Sequence, residues 1–312
     1  GEPGQSRIRV LTDENGDATS RALYAATSFK ITDALRADIG VRYENYEVDY
    51  TLDEGRAGTI DFAVSDDMSK TSWTAALDYQ FTDHMGVFGR INKGYLLPQF
   101  DTYRDGRGAF AQGADLVQGI EQYELGFKWA TDRLSLYATA FSTDIDPRQV
   151  NFQFGGPSIL TTQESQGVEL DATWRTDVGF SVSLNGTLLK SKIKSSDPSL
   201  DGKETERQPG WQLRLSPAYS WSVGSIEGTV YGTLSAVDDR WGEATNVNRL
   251  DGYEKVDLGV IMRINDAFVV QISGDNITDK EAFTESDPRT FTAPNGRFIM
   301  PRSFEFTVGY SF

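Results

Sequence analysis

The stretch that decides the fold is EQYELGFKWAT, residues 121–131, in which apolar and polar side chains alternate. A period of two places every second side chain on the same face of a β-strand. The segment is also about twice as long as the usual strand of a soluble protein. One face would carry Tyr123, Leu125, Phe127 and Trp129, and the other face would carry Gln122, Glu124, Gly126 and Lys128.

Other parts of the chain repeat this pattern and join it into hairpins with unequal ends. The alternating segments include residues 72–81, 167–175, 255–264 and 303–312. Short turns are predicted at residues 82–84, 131–133, 176–178, 223–225 and 265–267, and long connections near residues 51–70, 98–120, 146–162, 194–209, 238–252 and 278–301. Short turns at one end and long loops at the other are typical of outer-membrane β-barrels.

We therefore predict an all-β fold, a transmembrane antiparallel β-barrel with about fourteen strands in this chain. The strands would begin near residues 5–12 and end at Phe312. Trp73, Trp129 and Trp174 lie near predicted strand ends, where the lipid interface favours aromatic side chains. The alternative is a soluble β-sandwich, propeller or β-helix, whose strands also alternate.

Composition excludes several other classes. The hydrophobic fraction is 38%, and no run approaches the roughly 18 apolar residues that a membrane-spanning helix needs. Thirty Lys and Arg against 46 Asp and Glu give a net charge of −16, so nucleic acid is not expected as a partner. With no Cys and one histidine, His84, in a predicted turn, we expect no catalytic triad, metal site or cofactor, and no enzyme.

Several motifs in order along the chain resemble TonB-dependent outer-membrane receptors. Residues 87–95 resemble the family's strand running up into a loop, and residues 133–141 resemble part of its next hairpin. Residues 165–170 (SQGVEL) are similar to a common strand opening of the family. Residues 274–280 (GDNITDK) resemble its penultimate hairpin, with Ile277 where Leu is usual.

The resemblance implies a bacterial outer-membrane receptor whose barrel has 22 strands around a plug domain. Residues 1–312 would be the C-terminal portion, with the plug domain and the first strands absent. The implied function is active uptake of a scarce ligand, namely a ferric siderophore, cobalamin or an oligosaccharide. The implied partners are the inner-membrane TonB complex, the barrel assembly machinery, outer-membrane lipids including lipopolysaccharide, and the small-molecule ligand. Phe312 and Tyr310 resemble the family's assembly signal.

Ligand contacts are expected from aromatic and guanidinium groups in the long connections. Aromatic faces suit sugars and catecholate rings, and guanidinium suits carboxylate or phosphate. Loop-to-loop packing is the alternative role for the same side chains. The candidates are Phe100, Tyr103, Arg104, Arg107, Arg240, Trp241 and Asn246, with Phe152, Phe154 and Phe291 on weaker grounds.

Two alternative hypotheses for the function of the whole sequence remain. One is a passive outer-membrane channel of about fourteen strands, and the other is a soluble all-β carbohydrate-binding or hydrolytic domain. The stretch Asp13–Asp17 begins like a calcium loop, but Ala18 stands where that loop needs Gly, so a hairpin tip is predicted there.

Overall fold

The computed structural model describes residues 12–54, 61–151, 158–265, 267–287 and 295–310. These residues form seventeen strands and one helix, α1 (Phe100–Ala111). The strands are β1 (Thr12–Lys30), β2 (Leu35–Glu54), β3 (Phe62–Gln80), β4 (Met85–Leu96), β5 (Gln118–Ala130), β6 (Leu134–Asn151), β7 (Ser158–Arg175), β8 (Phe180–Lys194), β9 (Trp211–Val223), β10 (Ile226–Val237), β11 (Arg240–Trp241), β12 (Arg249–Leu250), β13 (Tyr253–Ile264), β14 (Phe268–Asp275), β15 (Phe283–Asp287), β16 (Asn295–Phe298) and β17 (Ser303–Tyr310).

Thirteen of the described strands form one antiparallel sheet. Its order is β1 to β10 in sequence, followed by β13, β14 and β17, so β1 and β17 are its two edges. The strands β11 with β12, and β15 with β16, form two small separate sheets. The predicted antiparallel meander is therefore confirmed. The predicted strand at residues 5–12 lies almost wholly outside the described part of the chain.

The first hairpins are longer than predicted. Strand β2 pairs with β1 from Thr12↔Glu54 to Lys30↔Arg36, and β3 begins at Phe62. The loop predicted at residues 51–70 is therefore largely strand, and Asp13–Asp17 lies inside β1 rather than at a hairpin tip. The physical reason is that the alternating apolar residues of β2 continue to Leu52, where the inner side of the sheet is covered by α1.

The sheet has one apolar, exposed face and one polar face. On β5, Leu125 is 65% exposed and stands between its register partners Gly89 and Ala140. On the opposite face, Lys128 forms an ion pair with Asp78. A large exposed apolar surface marks contact with another apolar phase. We call this surface the outward face, and the polar surface the inward face.

Short turns lie together at one end of the sheet, and threonine hydroxyls close several of them. Thr82 Oγ1 accepts hydrogen bonds from the backbone N–H groups of His84 and Met85 at 3.2 and 3.0 Å. The same hydroxyl contact recurs at Thr32, Thr131 and Thr176. The turns predicted at residues 82–84, 131–133, 176–178 and 223–225 are confirmed; a further turn at residues 31–34, with the same Thr-Asp pair, was missed.

Candidate functional site at the long-connection end

A helix in the fourth connection forms the first part of the site. The segment at residues 98–120 was predicted as a loop, but it contains α1 and the start of β5. The Gln99 backbone N–H donates to Thr102 Oγ1 at 3.2 Å, and Asp101 lies in the first turn, where a negative charge favours the helix dipole. Helix α1 packs against the inward face of β2 and β3.

Aromatic packing fixes α1 on the sheet. Tyr103 is fully buried in one cluster with Val48, Tyr50 and Leu52, which all lie on the inward face of β2. The ring of Phe100 stacks on that of Tyr50, with centroids 5.5 Å apart and an interplanar angle of 10°. Burying a large aromatic side chain contributes roughly 2–3 kcal/mol. This cluster therefore positions the helix and the side chains on its exposed side.

Polar contacts extend this packing. The Tyr103 hydroxyl donates to Asp66 Oδ2 at 3.1 Å, and burial together with that carboxylate raises the pKa of Tyr103. Arg104 donates from Nε to Asp105 Oδ1 at 2.9 Å and from Nη1 to Glu14 Oε1 at 3.2 Å. These carboxylates, Asp105 first, raise the pKa of Arg104, so its guanidinium remains charged. Its side chain is 36% exposed.

The outer part of the β6–β7 hairpin lies between α1 and the next connection. Gln149 Nε2 donates to the Thr102 carbonyl of α1 at 3.1 Å. The neighbouring Arg148 forms an ion pair of 2.5 Å with Glu206. Val150 packs with Ile193, Leu200 and Ala244. Gln149 thus contacts the connection that holds α1, whereas Arg148 and Val150 contact connections that lie later in the chain.

Three later connections contact one another. We call them the tied loops, which are the described residues of the segments 195–210, 238–252 and 278–301. Arg240 is 6% exposed and donates from Nη2 to the carbonyls of Phe283 and Thr284 at 3.0 and 2.9 Å. Arg207 and Glu285 form an ion pair of 2.6 Å. Because these contacts join all three segments, the tied loops form one connected surface.

Trp241 and Asn246 connect the first two tied loops. Trp241 Nε1 donates to Glu204 Oε2 at 2.9 Å, and the Arg249 guanidinium lies 5.8 Å from the Trp241 ring centroid. Asn246 has a φ of 56°, which places it in the left-handed region that asparagine tolerates. Its Oδ1 accepts a hydrogen bond from the Glu204 backbone N–H at 2.7 Å, and its Nδ2 donates to the Glu204 carbonyl at 2.9 Å.

Burial divides the predicted contact residues into two groups. Tyr103 and Arg240 are buried and hydrogen-bonded within the protein. The other five keep part of their surface accessible, although three of them also hydrogen-bond within the protein (Arg104, Trp241 and Asn246); the half-buried residues are Phe100, Arg104, Arg107, Trp241 and Asn246. Contact of any of them with a ligand stays a prediction. The seven candidates are not brought into one cluster: four lie on α1 and three on the tied loops.

Several residues of this region could not be found from the sequence. Glu206 and Glu204 have no motif, and their partners lie 58 and 37 residues away in the chain. Phe152, Phe154, Phe291 and Phe312 lie outside the described residues. Tyr310 lies on the outward face of β17, and its ring centroid is 4.7 Å from that of Phe268.

The described residues contain no group of three or more His, Asp or Glu side chains that could hold a metal ion. None of the helical structure described is long and apolar enough to cross a membrane. The geometry as a whole is that of an antiparallel barrel wall. Its apolar side faces outward, its polar side faces inward, and its long connections fold over one end.

Comparisons with known proteins agree with this class. The family model "TonB dependent receptor-like, beta-barrel" matches residues 2–277. A curated relative, the pesticin receptor of Yersinia enterocolitica, is 24% identical over 279 residues, which are 84% of this chain and 39% of the relative. This chain thus spans well under half of that receptor.

Two solved structures show the same fold. The ferric yersiniabactin uptake receptor FyuA from Yersinia pestis aligns with a TM-score of 0.81 at 18% identity, covering 96% of this chain and 47% of that one. The ferric-catecholate import receptor Fiu from K12 E. coli aligns with a TM-score of 0.80 at 20% identity, covering 96% and 45%. The chain belongs to the TonB-dependent receptor β-barrel family, whose members are bacterial outer-membrane proteins. Its short-turn end accordingly faces the periplasm, and its long connections face the outside.

Proposed function

We propose that this chain is the C-terminal part of an outer-membrane receptor that takes up a ferric siderophore with energy from the TonB complex. Membership of the family carries the proposal. The names of the two structural relatives, a ferric yersiniabactin and a ferric-catecholate receptor, favour chelated iron as the ligand. Cobalamin and oligosaccharides are the alternatives within the same class of active uptake.

The chemistry of the site suits a chelate better than a bare metal ion. The chain has no Cys and one histidine, and His84 lies in a short turn at the periplasmic end. In a ferric chelate, the siderophore itself supplies oxygen ligands to the iron. The protein then needs to recognise an organic, often anionic, surface, for which aromatic and guanidinium groups are suited.

We infer two roles for the candidate residues. Arg104, Arg107 and Trp241 would contact the ligand, because each carries a guanidinium or an indole ring on a partly accessible side chain at the outer end. Tyr103 and Arg240 would hold α1 and the tied loops in place, because both are buried and hydrogen-bonded. Binding and transport would involve no covalent chemistry on the ligand.

The rest of the receptor would lie upstream. A plug domain and the first strands of a 22-stranded barrel would precede residue 1. The open order of the described sheet and the 39% coverage of the curated relative support this arrangement. The proposed partners are the TonB complex at the plug, the barrel assembly machinery at the last strand, and the surrounding lipids with their lipopolysaccharide.

Uptake of radioactive iron tests the proposal. Cells that express the full-length receptor, with their other siderophore receptors deleted, are given a panel of ⁵⁵Fe-siderophores. We expect saturable uptake of at least one, and its loss when the tonB gene is deleted. Uptake that persists without TonB would instead support the passive-channel alternative.

A matched pair of variants tests the site. Arg104→Ala should weaken binding about tenfold, since a hydrogen bond to a charged group contributes about 1.5 kcal/mol. Arg21→Ala removes the same charge on the outward face of β1, where Arg21 pairs with Glu47, and should leave binding unchanged. Equal affinities for both variants would remove Arg104 from the binding site.

A further inference from the structure

Three lysines follow one another on the outward face of β8. Lys190, Lys192 and Lys194 occupy every second position of the strand, so their side chains project from the same face about 7 Å apart. All three are exposed. In a chain with a net charge of −16, such a row of positive side chains is unexpected.

The row begins where the apolar outward surface of β8 ends. Phe180, at the periplasmic end, and Leu188 lie on that surface, and Leu188 is 62% exposed beside its register partner Trp211. The nine residues from Phe180 to Leu188 extend roughly 27 Å along the strand. With a strand tilt of about 40°, that length spans most of an apolar band about 25 Å tall. Lys190 is the next outward-facing residue, at the level of the lipid headgroups.

Two of the three lysines form no ion pair in the described part of the chain, although Asp201 of the following connection lines the same surface as Lys192 and Lys194. Lys194 forms an ion pair with Glu164, the nearest carboxylate on β7. Lys192 is the register partner of Glu164, which already forms its ion pair with Lys194. Lys190 is the register partner of Gln166, which is neutral. Within the described residues, neither Lys190 nor Lys192 takes part in an ion pair. Asp144 lies next to Glu164 on the far side from the two lysines.

The outward face of the first strands has the opposite character. At their outer ends, β2 and β3 carry Glu47, Asp49 and Asp67 on that face. The positive row on β8 therefore contrasts with the acidic outward face of β2 and β3.

We propose that Lys190 and Lys192, with Gln166 beside them, bind the phosphate groups of the phosphorylated glycolipid in the outer leaflet, lipopolysaccharide. A lysine ammonium offers three donors to phosphate oxygens, and the Gln166 amide adds two. The acyl chains of the same lipid would lie against Leu188 and Trp211 below. This site is separate from the inward-facing uptake site.

Lipid titration of the full-length receptor tests the site. Purified receptor in detergent is titrated with lipid A that carries its phosphates, with dephosphorylated lipid A and with phosphatidylglycerol, and bound lipid is counted by native mass spectrometry. We expect tightest binding of phosphorylated lipid A. Each lysine near an anionic lipid surface changes affinity about fivefold, so K190S/K192S should bind it about 25-fold more weakly.

The control variant is K30S/R36S, which removes the same charge at the periplasmic end of the first hairpin. It should bind lipid A like the wild type, and K190R/K192R should retain binding. Equal weakening in K190S/K192S and K30S/R36S would overturn the proposal. Equal wild-type affinity for phosphorylated and dephosphorylated lipid A, or for phosphatidylglycerol, would overturn it without any variant. Iron uptake, measured on the same proteins, reports on the proposed function independently.

Discussion

Two glycines of α1 offer a test of how the helix is docked. A Cβ added at Gly108 meets no atom within 4 Å, whereas one added at Gly106 would lie 2.7 Å from Gln149 Nε2 and 3.1 Å from both methyl groups of Leu116. Gly108→Ala and Gly106→Ala therefore make the same chemical change in the same helix, one facing open space and one facing the contact surface.

The expected effects have opposite signs. Ala is favoured over Gly in a helix by about 1 kcal/mol, so Gly108→Ala should stabilise α1 by that amount. Gly106→Ala has the same gain, but Gln149 must give up its hydrogen bond to the Thr102 carbonyl, which costs about 1 kcal/mol. Repacking Leu116 costs a further 1–3 kcal/mol or so. The two variants should differ by at least about 2 kcal/mol, or roughly thirtyfold in local opening.

Hydrogen exchange of the α1 amides, followed by mass spectrometry on the full-length receptor, measures this difference. Protection should rise about fivefold in Gly108→Ala and fall in Gly106→Ala. Amides of β13, far from α1 in the sheet order, serve as an internal reference and should not change. Equal gains of protection in both variants would show that α1 does not pack against Leu116 and Gln149.

Further predictions concern the same helix, the two faces of the sheet and its closure. Tyr103→Phe should loosen α1 by about 1–2 kcal/mol, far less than Tyr103→Ala. Because the pKa of Tyr103 is raised, the stability that its hydroxyl gives to α1 in the wild type should be complete below the usual tyrosine pKa of about 10 and lost as pH rises through the raised value. Hydrogen exchange at alkaline pH can show this loss. Phe127→Arg should destabilise the assembled barrel by about 2–4 kcal/mol, whereas Lys128→Ala should destabilise it by about 1 kcal/mol or less. Heat-modifiable gel mobility distinguishes the two variants. A cysteine at Val308 should crosslink to the first strand of the complete barrel and not to residues 5–12.

Strand alternation predicted the fold because it acts locally. In β5, the two faces can be read directly from residues 121–131, since lipid and lumen impose opposite polarity on successive side chains. Short turns were also predictable, because a threonine hydroxyl closes each Thr-Asp turn with contacts two to four residues away.

The outer end could not be predicted in the same way. There the alternating residues of β1 to β3 face water on one side, so polar sequence such as residues 61–70 suggests loop although the strands continue. Helix α1 was missed because Gly106 and Gly108 disfavour a helix, which depends here on packing against β2 and β3. The contacts between connections, such as the ion pair of Arg148 with Glu206, join residues far apart in the chain and leave no local sequence pattern.

If this chain is a barrel wall with lipid on one side, the two faces of β5 must meet different surroundings. This chain has no Cys, so single cysteines at residues 122–125 and 127–129 can each carry a nitroxide label in reconstituted receptor; Gly126 is left out because a Cβ there would clash with the Phe88 ring. Collision with oxygen, which concentrates in lipid, should peak at residues 123, 125, 127 and 129 and fall at the residues between them, with the opposite order for a water-soluble nickel reagent. Oxygen collision without a period of two, or with maxima at residues 122, 124 and 128, would contradict the assignment of the two faces.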